Sequence, residues 1–147
     1  MWMRMGIVGM VVCCMFGCSS FNREWDRAAE RPGGGMEGAW AGRWESDAGH
    51  GGGALKCLLT KVAEEQLQAR FYATYWAICR FHTTVILGAK SEGSKVILSG
   101  KEDLGWLRGG VYEYEGLVSS NEFSCEYRSK HDMGRFVMKR PGSEGKK

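Results

Sequence analysis

Apolar and polar residues alternate with a period of two through most of the C-terminal two thirds of the chain. The clearest run spans residues 66–77, where Leu67 and Phe71 share one parity and Gln68 and Arg70 share the other. No part of this region sustains the i, i+3, i+4 apolar spacing of an amphipathic helix. Because a strand places successive side chains on opposite faces, the pattern predicts β-strands that turn one face towards a shared core.

Turn-forming residues at six places, together with one unmarked boundary near Ile78, divide this region into eight segments. The divisions fall at glycine-rich or polar positions: 49–53, 64–65, 91–94, 109–110, 120–121 and 133–134. The predicted strands cover residues 38–46, 54–62, 66–77, 79–90, 95–102, 110–118, 122–130 and 135–140. Short turns between consecutive strands favour an antiparallel up-and-down meander. The boundary between the third and fourth strands is the least marked, because no turn residue stands near Ile78.

A short aromatic pattern recurs and indicates that the meander consists of four hairpins. Each clear copy has two aromatic residues four positions apart, and the copies are Trp40 with Trp44, Phe71 with Tyr75, and Phe123 with Tyr127. Ile97 and Lys101 would form a degenerate fourth copy. A single hairpin cannot bury its apolar face alone, and closure removes exposed sheet edges. We therefore predict an all-β domain, an eight-stranded antiparallel closed β-barrel.

The same register predicts which side chains point into the barrel. The inward set is mostly aromatic or aliphatic: Trp40, Trp44, Leu55, Cys57, Leu59, Phe71, Tyr75, Cys79, Phe81, Val85, Leu87, Val96, Leu98, Tyr112, Tyr114, Phe123, Cys125, Tyr127, Phe136 and Met138. These side chains either fill the core or leave a slot with flat apolar walls and polar tips. Four of them are candidate ligand-binding residues for such a slot: Trp44, Tyr75, Tyr112 and Tyr127.

Two further aromatic residues, Tyr72 and Trp76, fall on the outward face of the third strand. Exposed aromatic residues on a polar face are typical of a patch that binds a partner protein. Alternatively, both side chains pack beneath the segment that precedes the barrel. The sequence leaves these two interpretations open.

The first 17 residues have the composition of a signal peptide. They contain one basic residue, Arg4, no acidic residue, and an apolar run from Gly6 to Gly17. A run of this length is too short to span a bilayer, which needs about 20 apolar residues, but it suits the apolar core of a signal peptide.

The junction between Gly17 and Cys18 resembles the lipobox of bacterial lipoprotein signal peptides, although Met15 and Phe16 depart from the usual residues. The resemblance implies cleavage before Cys18 and lipidation of Cys18, for example with palmitate. It also implies a location in the bacterial cell envelope, anchored to a membrane and facing the periplasm or the cell exterior. Ordinary secretion with cleavage near Ser19, and an uncleaved N-terminus, remain alternatives.

The remaining segments complete the predicted organisation. Residues 18–37 mix both charges and end in a proline and three glycines, which is typical of a flexible tether, with one helical turn between residues 22 and 31. The barrel follows over residues 38–140, and residues 141–147 form a disordered tail.

The barrel segment resembles two known families. Two Gly-x-Trp motifs on the first strand, Gly38-Ala-Trp40 and Gly42-Arg-Trp44, together with Arg140 after the last strand, resemble the calycin barrels, the lipocalins and their relatives. In that family a first-strand Gly-x-Trp is covered by a late arginine. The stretches at residues 40–55 and 112–123 are also similar to the hairpin repeats called MORN, and the whole chain resembles uncharacterised exported bacterial proteins.

Charge and motifs point away from several function classes. The formal net charge is +3 and the basic residues form no stripe, so we expect no nucleic-acid partner. The run HGGG at residues 50–53 resembles an oxyanion loop of esterases, but the chain has no G-x-S-x-G motif, and a glycine-rich turn explains the run better. We expect no cofactor and no metal, because the cysteines Cys57, Cys79 and Cys125 have no CxxC spacing. They are expected to be buried thiols or to form at most one disulfide.

One polar constellation could still carry chemistry. The repeat places His50 and His131 in equivalent turns, with Asp47 and Asp132 beside them, so the four side chains could meet at one end of the barrel. Solvated turn residues are the simpler interpretation. The acidic residues Glu102, Asp103, Glu113 and Glu115 are likewise interpreted as a solvated face and a turn rather than as paired catalytic acids.

Together these patterns predict a membrane-anchored envelope lipoprotein that is not an enzyme and that binds a small apolar ligand or a partner protein. An envelope-structural or protein-interaction module with a filled core is the alternative. A hydrolase is a second, weaker alternative.

Overall fold

The structure is a computed structural model that describes residues 20–31, 35–75, 79–105 and 110–142, without the side chains of Tyr75 and Cys79. Within these ranges the chain forms one helix, α1 (residues 20–30), and eight strands. The strands are β1 (Gly38–Ser46), β2 (Gly52–Ala63), β3 (Gln66–Tyr75), β4 (Cys79–Glu92), β5 (Lys95–Asp103), β6 (Val111–Val118), β7 (Glu122–Arg128) and β8 (Met133–Lys139). Each strand pairs antiparallel with the next, and β1 also pairs with β8, so the sheet closes. The predicted closed eight-stranded antiparallel barrel is confirmed.

The predicted turn at residues 133–134 is wrong. Gly134 lies in β8 and pairs with Ser46 of β1, while the actual turn covers residues 129–132. The hydroxyl oxygen of Ser129 accepts hydrogen bonds from the backbone N–H groups of His131 (3.3 Å) and Asp132 (3.0 Å). A serine that binds the backbone in this way ends a strand earlier than a glycine-based prediction expects.

The interior of the barrel matches the predicted alternation closely. Its buried residues are Trp40, Leu55, Cys57, Leu59, Leu67, Ala69, Phe71, Val85, Leu87, Leu98, Tyr114, Val118, Phe123, Cys125, Tyr127, Phe136 and Met138. The degenerate fourth repeat is wrong, because Ile97 is 36% exposed on the outer face of β5. Val96 and Leu98 face inward instead, so this segment does not repeat the aromatic pattern.

One end of the barrel is sealed around Trp40, which is fully buried. The guanidinium group of Arg140 lies 4.0 Å above the Trp40 ring and donates to the carbonyl oxygens of Gly35 (2.6 Å) and Glu37 (2.9 Å). The indole N–H of Trp40 donates to the carbonyl oxygen of Met36 at 3.1 Å. The contacts of Arg140 with Trp40, Gly35 and Glu37 tie the chain on both sides of the barrel to the same end.

The strand pairing around the barrel is incomplete between β4 and β5. Strand β4 pairs with β3 from Cys79 to Gly88, but its pairing with β5 covers only Gly88 to Glu92. Residues 79–87 therefore have no partner in β5 within the described chain. The pairing between these two strands is interrupted in the half of the barrel that lies away from Trp40, although Gly100 of β5 still packs against Leu87 of β4.

Helix α1 packs on the outer face of the barrel instead of forming a flexible tether. Phe21 is fully buried and Trp25 is 8% exposed, and they cover Ala39, Leu58 and Tyr72. The indole N–H of Trp25 also donates to the backbone carbonyl oxygen of Trp40 at 3.1 Å. The prediction of a spacer with a single helical turn missed this helix, because a short amphipathic helix depends on a tertiary partner that local composition does not reveal.

His82 lies beneath α1 and gives the fold a predicted pH dependence. Its ring meets the edge of Phe21 at 5.6 Å, and its Nε2 atom is buried without a hydrogen-bond partner among the described residues. Burial, and then the positive charge of Arg70, which pairs with Glu24 of α1, lower the pKa of His82. The unfolded chain therefore takes up this proton at a higher pH than the folded chain. Neutral His82 therefore contributes to the free energy of unfolding above pH 6.5, the ordinary pKa of histidine. This contribution is lost as the pH falls below 6.5.

We expect the free energy of unfolding to fall between about pH 7 and about pH 5, and to fall less in His82→Gln. Urea denaturation at several pH values measures this difference. His131→Gln, which alters an exposed turn residue, should keep the wild-type dependence. Equal pH dependence in wild type and His82→Gln would contradict this account of His82.

Candidate functional site

The end of the barrel opposite Trp40 contains a cavity of about 520 Å³ that is open to solvent. Its walls come from β1, β2, β3, β4, β6, β7 and β8 and from the loops that follow β5 and β7. The lining residues are Trp44, Leu55, Phe71, Ala73, Arg80, Phe81, Thr83, Leu104, Tyr112, Tyr114, Tyr127, Asp132 and Phe136. A volume of this size falls within the range of about 300–1,000 Å³ that is typical of small-molecule pockets.

The hollow follows from side-chain size and from the interrupted pairing between β4 and β5. Near the sealed end, Trp40, Phe123 and Met138 fill the interior completely. At the open end, β3 and β4 contribute the small side chains of Ala73 and Thr83. Because this pairing is interrupted at the same end, no side chains from a paired β5 segment fill this space.

A cluster of rings forms one wall of the cavity. The ring of Tyr112 lies 6.4 Å from that of Tyr114 and 6.0 Å from that of Tyr127, measured between ring centroids. Phe71 stacks on Tyr114 at 6.4 Å and meets Phe136 edge to face at 5.2 Å. These are favourable separations for aromatic pairs, so this wall is a packed aromatic surface that carries phenol groups.

The phenol groups of Tyr114 and Tyr127 remain neutral at physiological pH because their pKa values are raised. Burial raises the pKa of Tyr114, with a further contribution from neighbouring Tyr112. Burial also raises the pKa of Tyr127, and the nearby Asp132 carboxylate adds to the effect. No hydrogen bond of ordinary geometry satisfies the buried hydroxyl of Tyr127 within the described chain. The tyrosines therefore provide hydrogen-bond donors in an otherwise apolar space.

The hydroxyl of Tyr127 lies directly over Gly134, where a Cβ atom would overlap it. Glycine at this position of β8 therefore leaves the space that the phenol occupies.

A polar network lies at the cavity rim and joins two turns. The hydroxyl of Ser46 donates to Oδ1 of Asp132 at 2.6 Å, and Nδ1 of His50 lies 3.4 Å from the same oxygen. The Ser46 oxygen also accepts the backbone N–H groups of Ala48 and His50, both at 3.2 Å. Of the four polar residues that could meet at one end of the barrel, His50 and Asp132 lie in contact. The hydroxyl of Ser46 is directed to a carboxylate and not to a histidine, so this network stabilises the turns.

The side chains of Asp47 and His131, the other two members of the predicted polar constellation, do not join this network. Asp47 pairs with Arg135 at 3.6 Å, and His131 is exposed on its turn. Glu113 pairs with Lys101 at 3.2 Å on the outer face. Among the described residues, no group of three His, Cys, Asp or Glu side chains is arranged to hold a metal ion.

Two cysteines lie inside the barrel as free thiols. Burial raises the pKa of Cys57, with a smaller effect from Cys125, and burial raises the pKa of Cys125 to about 12. Both thiols are therefore protonated and behave as small apolar side chains. The side chain of Cys79 lies outside the described residues.

The candidate residues named from sequence separate into three groups. Trp44, Tyr112 and Tyr127 line the cavity, whereas the side chain of Tyr75 lies outside the description. Tyr72 is only 7% exposed because Phe21 stacks on it at 5.6 Å, so it packs beneath the preceding segment and forms no exposed patch. Trp76 and Cys18 fall outside the described residues.

Sequence reasoning missed Arg80 as a cavity residue. Alternation assigns Arg80 to the outer face of β4, because its neighbour Phe81 faces inward. The interrupted pairing beside β4 lets Arg80 border the cavity all the same. Only the extent of strand pairing reveals this, and no local pattern in the sequence encodes it.

No helix among the described residues has the length and apolar character that crossing a bilayer requires. In comparisons with known proteins, no family model matches this chain and no curated protein is significantly similar to it.

Proposed function

We propose that the protein is a binding protein whose barrel takes up a small apolar molecule through its open end. The observation that supports this most strongly is the solvent-open cavity of about 520 Å³, walled mainly by aromatic and aliphatic side chains. Each Å² of apolar ligand surface that enters such a cavity contributes about 25 cal/mol. The polar groups at the rim are engaged in turn-stabilising hydrogen bonds, which favours a binding role over a hydrolytic one.

Filling the cavity tests this proposal. Ala73→Trp combined with Thr83→Trp places two large side chains in the hollow, so we expect the affinity for the apolar fluorophore N-phenylnaphthylamine to fall by at least about tenfold. Fluorescence titration measures the affinity. The matched control is Thr84→Trp combined with Ser99→Trp, at exposed outward positions on β4 and β5.

The control variant should bind the fluorophore as the wild type does, and thermal unfolding should confirm that both variants are folded. Unchanged affinity in the filled variant would contradict binding inside the barrel. Absence of measurable binding to the wild type would contradict the proposed function itself.

We further propose that the protein is a lipoprotein of the bacterial cell envelope, anchored through a lipid on Cys18. The lipobox-like residues Gly17 and Cys18 support this proposal. Helix α1 begins within two residues of Cys18 and packs on the barrel through Phe21 and Trp25. A lipid on Cys18 would then hold the barrel close to the membrane surface.

Radiolabelled palmitate tests the anchor in bacteria that express the full chain. We expect the wild type to incorporate the label and to fractionate with membranes, whereas Cys18→Ala should do neither. Cys14→Ala, which alters a cysteine of the predicted signal peptide, should behave as the wild type does. Labelling that survives in Cys18→Ala would exclude this residue as the lipidation site.

A further inference from the structure

Arg80 stands apart from the other residues around the cavity because of its charge. It is the one cation among the described residues that line this space, and its side chain is exposed at the mouth. The remaining walls are aromatic, aliphatic or hydroxyl-bearing, with Asp132 as the lone carboxylate. Whatever enters the cavity therefore meets a positive charge beside an apolar interior.

The two charges at the mouth are not equally available. Asp132 is 16% exposed, and its Oδ1 atom already accepts the hydroxyl of Ser46 and lies 3.4 Å from His50. In the described part of the chain, no carboxylate lies within ion-pair distance of Arg80. Among the described residues, the negative charge at the mouth is thus engaged by other groups of the protein, and the positive charge has no such partner.

The interrupted pairing between β4 and β5 explains how Arg80 can line the cavity. In the described chain, residues 79–87 of β4 are not paired with β5. The side chain of Arg80 can therefore reach the mouth of the cavity, although alternation places it on the outer face of the strand. A planar guanidinium presents paired N–H donors that match a carboxylate or sulfonate. An anionic group held there would leave the rest of a ligand inside the aromatic wall.

We propose that the cavity is selective for apolar acids: molecules with a ring-containing or aliphatic body and one terminal anionic group, which Arg80 binds at the mouth. This inference rests on the proposed function, because it specifies the chemical class of the ligand for the same cavity. The phenol groups of Tyr114 and Tyr127 add neutral donors along the wall and no opposing charge.

Two probes that differ in a single group test the selectivity. Anilinonaphthalenesulfonate carries a sulfonate that the neutral N-phenylnaphthylamine lacks, and both have the same aromatic body. We expect Arg80→Gln to weaken binding of the anionic probe by about fivefold to tenfold and to leave binding of the neutral probe unchanged. Arg128→Gln, which alters an exposed arginine at the same end but outside the cavity lining, should change neither affinity. The neutral probe should displace the anionic one, since both occupy one cavity.

The outcomes separate the two proposals. Suppose that both probes bind the wild type. If Arg80→Gln then lowers the affinity for both probes equally, or for neither probe, the assignment of Arg80 is overturned while binding in the barrel stands. If the anionic probe loses affinity equally in Arg128→Gln, surface charge rather than Arg80 governs its binding, and the assignment is again overturned. If neither probe binds the wild type, the proposed function is overturned and this inference with it.

Discussion

Trp40→Ala is expected to lower the free energy of unfolding by about 3–5 kcal/mol, the usual cost of truncating a buried large aromatic residue. Trp40 is fully buried, packs edge to face on Phe123 at 5.9 Å and lies beneath Arg140. Its removal leaves a closed void at the sealed end and takes away the ring on which the guanidinium stacks. Chemical denaturation measures the loss.

Trp44→Ala is the matched control on the same strand. The Trp44 ring is only partly buried and borders the open cavity, so its removal widens a space that already communicates with solvent. We expect a loss of less than about 2 kcal/mol, because no closed void is created. Equal losses in the two variants would contradict the distinction between a sealed and an open end.

Gly42→Ala is expected to destabilise the barrel by at least about 3 kcal/mol, or to prevent its closure. Gly42 lies opposite Met138 in the pairing of β1 with β8. A Cβ atom there would overlap the backbone carbonyl oxygen of Val137 and crowd the Cα atom of Met138. Since backbone atoms cannot rotate aside as a side chain can, the two strands would have to separate.

Gly88→Ala provides the control for this substitution. Gly88 also lies in a strand, but the nearest atoms to a Cβ there are the oxygens of Ser99 at 3.4 Å. We expect the free energy of unfolding of Gly88→Ala to change by less than about 1 kcal/mol. A Gly42→Ala variant as stable as Gly88→Ala would show that the junction of β1 and β8 is looser than the structure describes.

Alternation along the sequence was sufficient to predict the fold. The parity of Phe71, Phe123 and Met138 identifies the inner face, and short turns between consecutive strands determine the antiparallel order. The same rule explains why the predicted fourth copy of the aromatic repeat is wrong. Ile97 has the parity of the outer face, and it is exposed there. Period-two alternation was the dependable pattern, and similarity between repeats was not.

The cavity could not be predicted in the same way. Parity shows that Trp44, Tyr112 and Tyr127 face inward, but not whether neighbouring side chains fill the space between them. That depends on where β4 stops pairing with β5, which is a long-range property of the closed sheet. For this reason alternation alone does not identify Arg80 as a cavity residue. It also leaves two possible surroundings for Tyr72, because Phe21, which covers Tyr72, lies far away in sequence.

The two ends of the barrel therefore have different physical characters. Trp40, Phe123 and Arg140 supply packing and closure at one end, while the rings at the other end enclose unfilled space. Helix α1 covers the outer face of the sheet without entering the barrel. Substitutions at the sealed end should alter stability, and substitutions at the open end should alter binding.

Contacts between N-phenylnaphthylamine and individual side chains, observed as nuclear Overhauser effects in solution, test the central claim most directly. We expect contacts with the protons of Leu55, Ala73 and Tyr112 and none with Trp40 or Met138. Contacts restricted to exposed outer-face residues such as Ile97 and Leu117 would contradict a barrel that binds apolar molecules in its open end.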